Sequence, residues 1–509
     1  MRESAARWLT VAAVLASFFW MLGAAPLFDV DEGAFSQATL EMFQRGDFLS
    51  TYLNGEPRYD KPILVYWLQA AAVAVLGPSE WAFRLPSALC ATLWAWLTYR
   101  FTRRYYGEER AVLAAVVLAT SLGVFIIGRA ATADALLNTL IAASMFAAWL
   151  HLSTGERRWL YATHAAIGLG VLAKGPIAIL VPFATTFLYC ASRGELRRWA
   201  RAVFDWRALL LLLAIALPWY VVILLKEGRG FVEGFFLKHN VGRFSGPVSG
   251  HSGSLLYYFP ALLLLNLPFT ALLVPVAMRA RAIWRDPLQR YLLLWFAFVF
   301  VFFSVSGTKL PHYMLYGYTG LVILMAVHVD RLRSPAWALL PVLGFFLGLL
   351  ALPYGLHYAL ERVNDAYYRE ALTAALGEFG TTYFAFCGVL SAITLYAMLE
   401  RATPVTRKLI VFGFAAVTAV ATLVVPVAGF AQQAAIKEAA LLCRERDLAV
   451  VMWRLNAPSF SVYRGAPTPS REPRPGDVVL TKASRLSELK LPYDLLYSKR
   501  GVVLAKIGA

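Results

Sequence analysis

Apolar runs of about 17 to 25 residues follow one another almost without pause along this chain, and few folds can hold them. A helix rises about 1.5 Å per residue, so roughly 20 apolar residues cross the ~30 Å hydrocarbon layer of a bilayer. Runs of that kind lie near 8–28, 81–99, 111–128, 135–151, 159–173, 175–192, 208–225, 255–278, 291–306, 313–330, 336–353, 381–399 and 409–428. With 59% hydrophobic and 16% charged residues over 509 positions, the chain carries more apolar surface than a soluble interior of this size takes in. In lipid every backbone polar group must be paired internally, so the runs are expected to be helices. The expected fold is an all-α polytopic membrane protein with about 13 transmembrane helices.

Arginine sets the orientation. Counting alternate loops from the N-terminus, 22 basic residues fall in about 66 positions, and the loops on the other side are about a third as dense. The N-terminus is therefore expected in the cytoplasm, and the C-terminus and the long loop after the first run outside. The net charge of +17 is mostly this bias and calls for no nucleic acid. The first run has no convincing small-residue cleavage site and reads as a retained helix. Three of the four cysteines lie in apolar runs and Cys443 stands alone, which leaves no disulfide framework and no metal pair.

Two segments interrupt the membrane pattern. Asp29 to Lys61 is the long polar stretch of the first 190 residues, and it is followed by Ile63–Leu76, too short to span and carrying Tyr66 and Trp67 for the headgroup level. From about residue 431 the composition turns polar. DLAVVMWRL, DVVLTKA and GVVLAKI read as short strands, with a helix at Ser484–Leu489. The domains expected are thus a membrane domain, 1–430, whose outer loop 29–80 carries the polar motifs, and a small outer α/β domain, 431–509.

Ionisable residues gather on the outer side: Asp31, Glu32, Asp60 and Lys61; Arg129 and Asp134; Lys174; Lys238, His239, Arg243 and His251; Lys309. Each has a plain alternative. Asp31 and Glu32 can cap an interfacial helix, Arg129 and Asp134 can pair across a tight turn, Lys174 and Lys309 can snorkel, and the histidines can be ordinary loop residues. Taken together they fit group transfer from a lipid phosphate. Lys61, Arg243 and Lys309 would absorb charge on a departing phosphate, and Asp31 would serve as base toward an incoming hydroxyl.

The stretches DEGAFSQATLEMFQRGDF, LNGEPRYDKPILVYWLQAA, FRLPSAL, GRAATADALLNT, LAKGP, HNVGRFSGP with HSGSLLYYFP, and GTKLPHYMLY resemble, in order and spacing, the bacterial aminoarabinose transferases and protein O-mannosyltransferases. These are GT-C membrane glycosyltransferases that take a sugar from a polyprenyl-phosphate carrier at the outer face of the bacterial inner membrane. The resemblance covers residues 5–330 well and the remainder loosely.

It implies Asp31 as a catalytic acidic residue and base, with Glu32 beside it. It also implies Lys61 and Arg243 on the carrier phosphate, and a lysine-leucine-proline motif of Lys309 with Tyr313. Asp60, Arg129, Asp134, His239 and Tyr313 are the expected substrate contacts, and Asp60 and His239 are the residues a divalent metal would use. The chain departs from the family where Ala34 and Phe35 replace an Arg-Tyr pair and Asp60 a glutamate. These departures leave the acceptor open among lipid A, another lipid, a glycan and a protein hydroxyl. The readings weighed against an inverting transferase are a flippase for a lipid-linked sugar and a membrane scaffold with a binding tail. The absence of a repeat and the one-sided polar groups favour the transferase.

Overall fold

The computed structural model describes residues 3–242, 253–332 and 334–508, with backbone alone for 3–7, 236 and 238–241. Among the described residues seven helices are long and apolar enough to cross a membrane, and nine if two bent pairs each count as one span. The chain begins with α1 (Glu3–Val14), continued by a π turn Leu15–Phe19. Then come α2 (Asp31–Arg45), the hairpin β1 (Tyr52–Leu53) and β2 (Glu56–Pro57), and α3 (Leu64–Leu76). Next are α4 (Glu80–Thr120), α5 (Leu122–Arg129), α6 (Asp134–Thr154) and α7 (Arg157–Lys174).

Several apolar runs fold differently from a simple span, and each difference has a local cause. The run 8–28 stops being helical at Phe19. The carbonyls this leaves are taken by two buried arginines: Arg84 donates to Leu22 O, Ala25 O and Pro26 O at 2.8–2.9 Å, and Arg129 to Ser17 O and Trp20 O at 3.1 and 2.7 Å. Between the runs 81–99 and 111–128 there is no loop. α4 turns at Gly107 alone, whose φ of 79° is open to glycine at little cost, and α5 leaves α4 at 64°. The run 255–278 is two short helical pieces bent by 119°. The run 409–428 belongs to a 41-residue helical stretch, Val405–Glu445, which carries the chain directly into the C-terminal unit.

That unit holds a four-stranded sheet in the order β3 (Val450–Met452), β4 (Val478–Lys482), β6 (Val502–Ile507), β5 (Tyr493–Lys499). β3 and β4 are parallel and the other pairs antiparallel. β5 was not expected; it is an edge strand whose side chains are mostly solvated, so its sequence shows no apolar face. The segment expected as a helix at Ser484–Leu489 is a 3-10 turn, Ala483–Glu488. The apolar core of the unit starts at Ala435 and Ile436, within the long helical stretch, and runs through Phe460, Leu480 and Leu504.

The unit rests on the first loop. Leu27 N donates to the Tyr463 hydroxyl at 2.7 Å, Tyr463 donates to Glu80 at 3.1 Å, and Ser461 donates to Asn54 Oδ1 at 2.6 Å. The arginine-rich turns join one another: Arg110 pairs with Asp330, Arg198 reaches Leu152 O, and Arg290 donates to Ser192 at 3.5 Å.

One ion pair ties these parts together. Glu32 accepts from Arg84 Nε and Nη2 at 2.8 and 2.7 Å, and also from Phe28 N and Ala131 N at 2.9 and 2.8 Å. Both side chains are buried. Removing one partner of such a pair typically costs ~3–5 kcal/mol, since the other is left charged and desolvated. Arg84→Met should therefore lower the unfolding temperature in nanodiscs strongly, whereas Arg158→Met, whose pair with Glu156 is exposed, should change it little.

Candidate active site

Val30 precedes α2, so Asp31 and Glu32 fall in its first turn, where acidic groups are favoured by the free N–H groups of the helix end. Their fates differ. Glu32 points into protein and has its acceptor positions filled as described. Arg84 and the two backbone donors outweigh its burial and hold its carboxyl below the ordinary range. Asp31 is exposed and has no hydrogen-bond or ion-pair partner among the described residues. It borders a cavity of about 520 Å³ that Asp29, Arg84, Arg129, Asp134 and His312 also line. Its charge bears on both Arg58 and His312.

The motif at 58–61 is a compact ionic cluster. Asp60 accepts from Arg58 at 3.1 Å and from Lys61 at 2.9 Å, and Arg58 donates to the Tyr66 hydroxyl at 3.1 Å. Burial works against the charge on Arg58, and Tyr66, Asp60 and Asp31 more than restore it. Lys61 lies near enough for its charge to act on Asp134 and His312.

Those two groups belong to a second cluster, formed by the start of α6, the end of α7 and the turn Pro311–Met314. Asp134 pairs with Lys174 at 2.5 Å, Lys174 donates to the Tyr316 hydroxyl at 2.9 Å, and His312 Nε2 lies 3.7 Å from Asp134. Tyr313 packs at a tilt against Phe303 and Tyr316, with the Lys174 ammonium 5.8 Å from its ring. The expected Arg129–Asp134 pair does not form. Arg129 points the other way, to the carbonyls left open where the first helix ends, and Asp134 finds Lys174 across the helix bundle.

Lys309 turns away from this cleft. It is buried and donates to Ser304 O and Ser306 O at 2.7 and 2.9 Å, capping the carbonyl end of the helix Pro287–Val305, and burial pushes its ammonium below the usual range. Backbone alone is described for Lys238 and His239, within the helical stretch Val232–Val241, and Arg243 and His251 lie outside the described residues. No group of three or more His, Cys, Asp or Glu side chains converges as metal ligands among the described residues.

Arg58, Arg84 and His312 are the members of the site that sequence reasoning passed over. All three stand inside stretches singled out for other residues, RYDKP, FRLPSAL and GTKLPHY, and an arginine next to an apolar run was the available signal for Arg84. Asp29 stood in the sequence only as the first residue of the polar stretch. It is pushed up to about 7 by burial, with Glu32 adding to the shift and Ser459 donors opposing it.

The Asp134–Lys174 pair gives a stability test. Asp134→Asn should destabilise the protein by ~3–5 kcal/mol, leaving a buried ammonium unmatched, and Lys174→Met should do likewise. The double variant should lose less than the sum, as contacting partners do, when all three are compared by thermal unfolding.

Known proteins resemble this chain in sequence over part of its length and in fold over nearly all of it. The profile of the family described as dolichyl-phosphate-mannose-protein mannosyltransferase matches residues 60–221. An uncharacterized protein of Aquifex aeolicus is 31% identical over 340 residues, 66% of this chain and 75% of that protein. An undecaprenyl phosphate-alpha-4-amino-4-deoxy-L-arabinose arabinosyl transferase 2 of Pseudomonas fluorescens is 33% identical over 317 residues, 60% of this chain but only 53% of its own length. The chain thus spans about half of that curated relative. In fold, the crystal structure of ArnT from Cupriavidus metallidurans bound to undecaprenyl phosphate superposes with a TM-score of 0.82 at 21% identity, covering 98% of both chains. The chain belongs to one family with the uncharacterized Aquifex aeolicus protein, is similar to the protein mannosyltransferase family over residues 60–221, and has the fold of ArnT.

Proposed function

We propose that the chain transfers a sugar from a polyprenyl-phosphate carrier to a hydroxyl acceptor at the outer face of the inner membrane, with inversion at the anomeric carbon. The observation that carries this reading is the contrast at the start of α2. Of two adjacent carboxylates, one is locked in place and the other is left without a partner at a cleft that also faces cationic groups.

In the proposed reaction the acceptor oxygen attacks the anomeric carbon as the carbon–phosphate-oxygen bond breaks, and the electron pair leaves with the polyprenyl phosphate. Asp31 takes the hydroxyl proton. Its exposure and lack of partners keep its lone pairs available for that step. The phosphate gains negative charge on leaving, and Lys61 is the cation proposed to meet it, with Arg243 as a second. Lys61 is preorganised for this by Asp60, which holds its ammonium beside Arg58. Glu32, filled on every side, is a positioning residue. Lys309, spent on helix-end carbonyls, is not assigned to the phosphate.

The proposed topology has about 13 spans, a cytoplasmic N-terminus, and the cleft and the C-terminal unit outside. The arginine excess in alternate loops and the docking of the C-terminal unit on the first loop support it. The donor class is supported by the relatives, which are named for undecaprenyl-phosphate-linked aminoarabinose. The acceptor class is a lipid, glycan or protein hydroxyl. No observation favours movement of a lipid-linked sugar without transfer.

Asp31→Asn should reduce turnover of a polyprenyl-phosphate sugar ~10²- to 10⁴-fold in nanodiscs. It should lower thermal unfolding only slightly, because no hydrogen bond is lost and only the helix-end and longer-range charge interactions go. Turnover near the wild-type rate would remove Asp31 as base. Lys61→Ala should weaken donor binding roughly tenfold or more, the effect of losing one charge-assisted contact. Binding of the donor at wild-type affinity would place the phosphate elsewhere.

A further inference from the structure

The seam between the C-terminal unit and the first loop passes two residues before Asp31. Asp29 Oδ1 accepts from Ser459 N at 2.9 Å, and Oδ2 accepts from Ser459 Oγ. Ser459 is fully buried and lies in the first turn of the helix Pro458–Arg464, which packs along α2. The two approach so closely that a Cβ on Gly33 would fall 2.1 Å from Asp29 Oδ1 and 2.5 Å from Ser459 N. Only glycine fits there.

Asp29 also sits in the turn that starts α2. Glu32 N donates to Phe28 O at 3.0 Å and Ala34 N to Val30 O at 2.9 Å, so residues 28–30 supply the first acceptors of the helix. A shift of Asp29 is a shift of the turn, and Asp31 moves with it. Asp29 lines the Asp31 cleft on one side and, on the other, a cavity of about 730 Å³ bounded by Lys482, Tyr367 and Gln433.

We propose that Ser459 is a positioning residue for transfer: by gripping Asp29 it fixes the turn from which α2 springs, and so sets where Asp31 stands in the cleft. The C-terminal unit then completes the active site. This rests on the transferase reading above. An ionised Asp29 accepts both Ser459 donors, whereas a protonated one has fewer lone pairs to offer, so the grip depends on the Asp29 charge. The groups facing Asp29 are Glu32 from α2, Ser459 from the C-terminal unit, Tyr367 from the helix Ala366–Gly377, and Gln433, whose amide nitrogen in the favourable orientation lies 3.2 Å from Oδ2. Burial holds Asp29 protonated up to about pH 7 and the Ser459 donors work against that. Loss of the Ser459 hydroxyl therefore raises the Asp29 pKa further, and an activity limb that follows Asp29 ionisation moves to higher pH.

The test uses the full chain in nanodiscs with a polyprenyl-phosphate sugar as donor. The turnover number is measured against pH for wild type, Ser459→Ala and Asp29→Asn, with hydrogen exchange of the α2 first-turn amides on each. Ser459→Ala should lower the turnover number at pH 7 roughly tenfold, the loss of one hydrogen bond to a charged group, and leave KM for the donor nearly unchanged. Its alkaline-rising limb should move up in pH, Asp29→Asn should lack that limb, and the α2 first-turn amides should exchange faster in Ser459→Ala. Wild-type turnover and pH profile in Ser459→Ala would overturn the proposal, even if exchange were faster, because Ser459 would then be a docking contact only. If Ser459→Ala does not fold, loss of the limb in Asp29→Asn supports the proposal and an unchanged limb overturns it. A wild-type chain that turns over no donor would sink the transferase reading instead. In that case exchange tests only the grip on the turn: unchanged α2 amides in Ser459→Ala overturn it, and faster exchange supports it.

Discussion

The buried pair of Glu32 and Arg84 holds together the face of the molecule that carries the cleft. Arg84 lies in α4, Glu32 in α2, and between them they bind the carbonyls after the first helix and the amide of Ala131 after α5. Four chain segments meet on two side chains. Such a pair is weak as a source of net stability, because both charges are desolvated to make it, but it is costly to break. It therefore acts on geometry. The chain can end its first helix early, at Phe19, because Arg84 and Arg129 take up carbonyls that lipid would leave unpaired.

The same pair sorts two neighbouring carboxylates. Asp31 and Glu32 look alike in sequence, yet one helix turn directs Glu32 into a pocket of donors and Asp31 into an open cleft. Two further ion pairs stand near it: Asp60 with Arg58 and Lys61, and Asp134, which lines the cavity, with Lys174. Pairing holds these cations in place and leaves the Asp31 carboxylate available. Asp31 owes its position to contacts made by its neighbours, at Glu32 and at Asp29.

What the sequence made legible follows from which interactions are local. Helices such as α3, α6 and Thr381–Leu399 were readable because apolar length and flanking polar residues are properties of the segment itself. The cleft was readable as a set of outer-loop motifs, since Asp31, Lys61 and Asp134 stand in short recognisable stretches. Partners were not. Arg129 and Asp134, five residues apart, pair with nothing in common, and the true partner of Asp134 is forty residues away in Lys174. Lys309 was read as a phosphate ligand because its motif faces outward, but the open carbonyls of its own helix end lie closer. The bends at Gly107 and within 255–278 were hidden because an apolar run has the same composition whether straight or broken. The edge strand β5 was hidden because a solvated strand has no apolar face to show.

The central claim is a single displacement at the anomeric carbon with Asp31 as base. The most direct measurement is the anomeric configuration of the sugar in the product, followed by NMR from a donor of known configuration with purified protein in nanodiscs. The expected product has the configuration opposite to that of the donor. Retention of configuration would require a sugar held covalently between two displacements, with Asp31 as nucleophile rather than base, and would contradict the account.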